Sequence, residues 1–227
     1  MKSHGDIFEK IISPDNLFSA WDEFYKDKKK KEDVQHFEFE LEQHVFQLHR
    51  DLKSQKYKHG PYSDFYICDP KVRHIYKASV RDRVLHHAIF KVLNPIFEPT
   101  FIQNSFSCRT HKGNHKGVLA LETMIRKASK NYSESCFVLK CDVKKFFDTV
   151  DHEVLLSILR KRIKDCDVMW LLEEIVGSYA SSRSTLFEHK GVPIGNLTSQ
   201  LFANVYMNEL DQFVKHDLKV KHYARYT

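Results

Sequence analysis

The chain has 227 residues, enough for one large domain or two small ones. Hydrophobic residues at 42% and charged residues at 29% exclude wholesale disorder, and only 7 glycines and 6 prolines exclude collagen-like and linker-rich chains. The 36 basic and 30 acidic side chains leave +6, a moderate excess compatible with a polyanionic partner. The cysteines Cys68, Cys108, Cys136, Cys141 and Cys166 are odd in number and form no CxxC pair, which argues against a disulfide framework and a zinc site. No apolar run is long enough to span a bilayer, and no signal-peptide segment follows Met1. The expectation is a reduced, soluble, cytoplasmic protein with no membrane partner.

Asp15-Asn16 can cap a helix that carries Leu17, Trp21, Phe24 and Tyr25 on one face. The basic run Lys26 to Lys31 reads either as a solvated helix end or as nucleic-acid backbone contact. A second helix is expected over Asp33 to Leu52. Two extended runs, 64–68 and 72–76, flank the turn at Asp69-Pro70 and predict a β-hairpin. Val84, Leu85, Ala88, Ile89, Val92 and Leu93 then predict a helix ending at Asn94-Pro95. Another is expected over Gly117 to Lys130, with Val118, Leu121, Ile125 and Ala128 inward.

Cys136 to Cys141 reads as a short apolar strand that delivers Asp142 at its end. Asp151 suits an N-cap for a helix burying Val154, Leu155, Ile158 and Leu159, and Val168 to Tyr179 predicts a further helix. Thr185 to His189 reads as a strand, Thr198 to Phe213 as a helix with Leu201, Val205 and Leu210 inward, and Tyr223 to Tyr226 as the start of a last strand. Helices and strands mix without βαβ alternation, so the fold class expected is α+β.

Asp142 at a strand end is a natural ligand for a hard cation such as Mg²⁺, although such aspartates also simply cap turns. Lys140, Lys144 and Lys145 flank it, with Phe146-Phe147-Asp148 next in the chain. An aromatic at Phe147 can lie under a nucleotide sugar or pack in the core, Phe146 being the better core candidate. In Gly191-Val192-Pro193-Ile194-Gly195-Asn196-Leu197-Thr198-Ser199-Gln200, the glycines permit close backbone approach to a ligand and the polar residues start a helix able to bind phosphate. A simple capped helix fits those residues equally well.

Taken together, 138–148, 191–200 and the closing Tyr223-Ala224-Arg225-Tyr226-Thr227 resemble a reverse transcriptase, an RNA-directed DNA polymerase. The segments around Arg73, Arg81-Asp82-Arg83 and Ser105 to Arg109 resemble that family's fingers motifs. Ile194 and Gln200 within this loop resemble the diversity-generating retroelement branch, which copies template RNA with errors at adenines. The resemblance implies the right-hand fold: residues 1–135 mainly fingers, and 136–227 palm with interleaved fingers elements, incomplete at the C-terminus and without a thumb.

It also implies roles. Asp142 is the catalytic carboxylate and binds Mg²⁺ with the Val143 carbonyl, in a two-metal site left incomplete because the paired aspartates are expected just after Thr227. Arg73 and Lys71 hold the incoming nucleotide, Phe147 gates its sugar, Ile194 and Gly195 shape its pocket, and Gln200 supports it. Arg81, Arg83, Arg109, Lys112 and Lys116 are candidates for the template and primer backbone. The implied partners are template RNA, primer, dNTPs and an accessory RNA-binding protein. His86, His87, His111, His115 and His152 are read as unexceptional polar positions. The chain as given is expected to be a weakly active or inactive fragment. A group II intron-like or phage-defence enzyme, and a non-catalytic RNA-binding fragment, remain as alternatives.

Overall fold

A computed structural model describes residues 6–185 and 188–226, apart from the side chains of Asp69 and Lys71. Helices dominate: α1 (Ile7–Ile12), α2 (Pro14–Tyr25), α3 (Glu32–Phe39) and α4 (Leu41–Lys53) precede the hairpin β1 (Ser63–Asp69) and β2 (Lys71–Lys77). Then come α5 (Val80–Phe97), α6 (Asn114–Ala128), α7 (Phe146–Thr149), α8 (His152–Arg162), α9 (Cys166–Gly177) and α10 (Leu197–Gln212), the last continued by a π-helical turn over Phe213–Asp217. This is an α+β chain whose only sheet among the described residues is the antiparallel hairpin, in register from Ser63 opposite Lys77 to Asp69 opposite Lys71.

The apolar stripe of α5 makes it the central helix. Val84, Leu85, Ala88, Ile89 and Leu93 are all buried, and α5 packs against both α2 and α10. Helix α2 contributes Leu17, Ala20, Trp21 and Phe24, and is capped by Ser13, whose hydroxyl accepts from the Asn16 amide, rather than by Asp15 or Asn16. Pro95 does not end α5. It lies one turn from the end, where a missing amide costs one hydrogen bond and buried Phe97 anchors the final turn.

Several sequence expectations give way to packing. The single helix over 33–52 is two, because the backbone turns at Glu40 (φ −121°, ψ 37°). Val34 and Phe37 then face the core on one axis and Val45, Leu48 and Leu52 on another. The strand expected over 136–141 does not form. Phe137 is 96% and Leu139 90% exposed, because none of the described residues offers that backbone a ladder partner. Helix α6 forms, yet Val118, Leu121 and Ala128 stand exposed and Ile125 only half-buried, since no element among the described residues covers that face. Val154 and Leu210 are likewise exposed, each one residue round the helix from a buried neighbour, Leu155 and Asp211. The strand at 223–226 is reduced to one parallel bridge between Ser105 and Arg225. The strand expected at 185–189 falls partly on Leu186 and Phe187, which lie outside the described residues, while the Thr185 amide donates to the Glu188 carbonyl at 2.8 Å. No helix of the described chain is long and apolar enough to cross a membrane.

Candidate active site

Three segments far apart in sequence meet through backbone hydrogen bonds. The amides of Val192 and Gly191 donate to the carbonyls of Phe147 and Val150, both at 2.8 Å, joining the start of α7 to the 191–196 loop. The Tyr76 amide donates to the Ile194 carbonyl at 3.1 Å, joining that loop to β2. Phe147, Ile194 and Gly195 therefore lie along one path that continues up β2 to Arg73.

The two glycines are needed by the protein itself. Gly195 has φ +131°, and a Cβ there would sit 2.9 Å from the Tyr76 carbonyl oxygen. Gly191 has φ +106°, and its Cβ would come within 2.6 Å of Ser181 Cβ. The close approach read from the sequence as room for a ligand is thus filled, at these two positions, by the chain's own backbone and by Ser181.

Phe146 and Phe147 are both half-buried against the core, in edge-to-face contact at 5.6 Å between centroids. Ile194 is half-buried, Gln200 is exposed, and Arg73 is exposed on the hairpin with no ion pair among the described residues. Lys71 belongs to β2 by its backbone, while its side chain lies outside the described residues. Thr198 and Ser199, read as a phosphate-binding helix start, are 1% and 2% exposed and face inward. Between β1 and β2 a stack of rings runs down the hairpin. Tyr66 lies on His74 at 4.3 Å, His74 is held by Asp64 at 2.6 Å, and Tyr76 meets Tyr179 at 4.8 Å.

Asp142 and Val143 are exposed, in irregular backbone just before α7. Lys145 reaches the left-handed region at φ 53° to start that helix. A carboxylate and a carbonyl are the right donor types for Mg²⁺, but their number is not. Among the described residues no group of three His, Cys, Asp or Glu side chains could hold a metal ion. The described residues supply one carboxylate, which does not by itself make a two-metal site. The segment 223–226 runs nearby. Burial and then the Asp211 carboxylate raise the Tyr223 hydroxyl well above its ordinary pKa, and Cys141 adds to the same effect.

The basic candidates separate into two groups. Arg81 pairs with Asp51 at 2.9 Å over the Tyr57 ring, and Arg83 pairs with Asp33 at 2.6 Å over Phe24. The Arg109 side chain is 6% exposed, gripping Glu98 and the carbonyls of Ile102 and Ser105, and Lys112 donates to the Gln103 carbonyl. Arg73 and Lys116 point to solvent, as do Lys140, Lys144 and Lys145 beside Asp142.

The sequence reading missed a buried polar cluster. Asp82, His86, Asn196 and Thr198 are each 3% exposed or less, and His59 and Tyr62 join them. Its one visible signal was a histidine on the apolar face of the helix that became α5.

The family model for reverse transcriptase (RNA-dependent DNA polymerase) matches residues 58–226. The chain belongs to the reverse transcriptase family. It is 28% identical over 170 residues to Protein YkfC of Escherichia coli K12, covering 74% of this chain and 44% of that one. It is 26% identical over 184 residues to the group II intron-encoded protein LtrA of Lactococcus lactis, covering 79% and 29%. Among solved structures it is similar to a chain of a partial Cas6-RT-Cas1–Cas2 complex, with TM-score 0.55 and 19% identity over 92% of this chain and 35% of that one. This reverse transcriptase chain thus spans less than half the length of each of these relatives, and its helix-rich fold is the one found in part of that complex.

Proposed function

We propose that the protein is an RNA-directed DNA polymerase that adds deoxynucleotides to a primer on an RNA template. Residues 1–135 serve mainly as fingers and 136–227 as palm with interleaved fingers elements. The observation that carries this reading is the pair of backbone junctions, Val192 to Phe147 and Tyr76 to Ile194, which gathers the segments implied for nucleotide binding on one path. Asp142 supplies one carboxylate toward Mg²⁺, with the Val143 carbonyl beside it. These two groups would contribute to holding a divalent cation, whose chemistry when bound is Lewis-acid activation of a hydroxyl and neutralisation of phosphate charge. Arg73 and Lys71 are assigned to hold the triphosphate, Phe147 to bound the sugar, Ile194 and Gly195 to wall the pocket, and Gln200 to support it. Lys116, with the cations flanking Asp142, contributes to template and primer binding, whereas Arg109 shapes the loop it is buried in. Arg81, Arg83 and Lys112 reach phosphate only by giving up the partners they hold.

Primer extension with dTTP on poly(rA)/oligo(dT) in Mg²⁺ tests the reading. Extension that is abolished by Asp142→Ala supports it, and extension unaffected by that change removes Asp142 from the chemistry. Phe147→Ala should admit ribonucleotides, and unchanged sugar selection would return Phe147 to the core alone.

Within the family, Ile194 and Gln200 favour the diversity-generating branch with its accessory RNA-binding partner, because a branched apolar wall offers no amide to constrain the base pair. The similarity to LtrA favours a group II intron enzyme instead. Adenine-specific misincorporation that falls on Ile194→Gln decides for the first, and faithful copying decides for the second.

A further inference from the structure

The buried cluster below the 191–196 loop has its proton order set by two carbonyls, those of Gly60 and Ile175. The Tyr57 hydroxyl, the Ser79 hydroxyl and the Gly60 amide donate to Asp82 at 2.8, 2.7 and 3.0 Å, tethering the segment that carries His59. His59 Nδ1 lies 2.7 Å from the Gly60 carbonyl, which can only accept, so Nδ1 bears the proton. In the neutral ring its Nε2 is then an acceptor. The Tyr62 hydroxyl also lies 3.2 Å from it, but its single proton goes to the nearer Ser178 oxygen at 3.0 Å, so His86 Nε2, at 3.2 Å, is the donor. That leaves His86 Nδ1 as an acceptor, and the Thr198 hydroxyl, 2.8 Å away, donates to it. Burial, followed by His59 and His87, holds the His86 pKa well below the ordinary histidine value, which agrees with a neutral ring.

A second branch starts at the same loop. Asn196 Nδ2 donates to the Tyr62 hydroxyl at 3.2 Å. Ser178 has its own proton on the Ile175 carbonyl at 2.6 Å, so its oxygen accepts from Tyr62 at 3.0 Å. The Tyr62 ring lies on the His59 ring at 4.8 Å with its hydroxyl oxygen 3.2 Å from His59 Nε2, closing the two branches on one another. The segment 194–198 is therefore fastened at three points: the Ile194 carbonyl by β2, the Asn196 amide by Tyr62, and the Thr198 hydroxyl by His86.

We infer that His86 and Tyr62 are positioning residues that set the Ile194–Gly195 wall against the hairpin, through Thr198 and Asn196, and so tune nucleotide affinity without touching nucleotide. This rests on the assignment of Ile194 and Gly195 to the nucleotide pocket. A cluster that only satisfied buried polar groups would affect stability and leave affinity alone.

The test is the equilibrium Kd of labelled dTTP for the full chain assembled on poly(rA)/oligo(dT), with the melting temperature recorded for each variant. Thr198→Val removes the donor at constant shape. It should weaken dTTP binding about tenfold, the ratio set by one lost hydrogen bond, and Thr198→Ser should restore it. Tyr62→Phe, which deletes a single oxygen, should weaken binding in the same direction and provides the reading should Thr198→Val fail to fold. Unchanged Kd in the folded variants, with only the melting temperature lowered, overturns the inference. Ile194→Lys separates the two levels. If it weakens dTTP binding while the Thr198 and Tyr62 variants do not, the clamp falls and the pocket stands. If Ile194→Lys also has no effect, or the wild type binds no dTTP, the pocket assignment falls and takes the clamp with it.

Discussion

Arg225 shows how much one buried side chain can organise. Its Nε lies 3.0 Å from both carboxylate oxygens of Asp211, which is fully buried, and its Nη2 donates to Ser105 and Asn204. Its amide and carbonyl bond to the Asn104 carbonyl and the Phe106 amide, so side chain and backbone fix the same segment. Arg225→Ala would leave Asp211 buried with Tyr223 as a donor, and should cost ~3–5 kcal/mol in urea unfolding, the range for a broken buried pair. Arg225→Lys should recover only part of that, because an ammonium cannot reproduce the planar fork. Gly191→Ala is expected to cost ~1–3 kcal/mol for a side chain in the left-handed region, read from the same unfolding curves, with the clash at Ser181 adding to it. The sequence made such glycines visible but not their purpose. Gly191 and Gly195 announce a close approach, and only the fold says that Ser181 and Tyr76 are what approaches.

Helices were the most legible elements, because periodicity and caps are local. Asp151 caps α8 through the Val154 amide at 3.0 Å, as its position before an apolar stripe predicts. What periodicity could not separate was a histidine that fills the core from one that hydrogen-bonds within it. Helix α5 carries both kinds, and they give it an acid sensitivity. Burial, with nearby Lys28, lowers His87 to about 4 from its ordinary 6.5, and its ring packs edge-on to Phe24 at 5.7 Å. Burial also holds His86 on the same helix well below its ordinary value, and burial lowers His152 despite its bond to the Gly191 carbonyl. Each binds a proton more readily in the unfolded chain. Stability therefore rises with pH between about 4 and 6.5 and is lost as pH falls through that window. Urea midpoints measured across this range should fall steadily toward acid. His87→Phe, which keeps the ring packing and removes the titration, should flatten the slope.

At the scale of the whole molecule, one core runs from α1 through α2, α5 and α9 to α10, and a second apolar region has no cover among the described residues. Phe137, Val138, Leu139 and Val143 stand exposed between α6 and α7, and Val118, Leu119 and Leu121 stand exposed on α6 itself. The sequence reading of 136–141 as a strand was chemically sound, since the residues are apolar and β-prone. A strand, however, is a property of at least two segments, and its hydrogen bonds cannot be supplied by its own residues. The α6 stripe fails for the same reason, having helical spacing with none of the described residues packed over it. Asp142 inherits the consequence, because its place depends on a backbone that no ladder holds. Amide hydrogen exchange on the 227-residue chain should show this directly. Amides of α5 and α10 should exchange last, and those of 136–143 at nearly unstructured rates. Replacing Phe137 and Leu139 together by serine should raise solubility while leaving the melting temperature unchanged, because side chains 96% and 90% exposed contribute almost nothing to the core and much to association. A fall in melting temperature for that double variant would mean that the segment is packed after all, and protection of its amides would have to appear in the same chain.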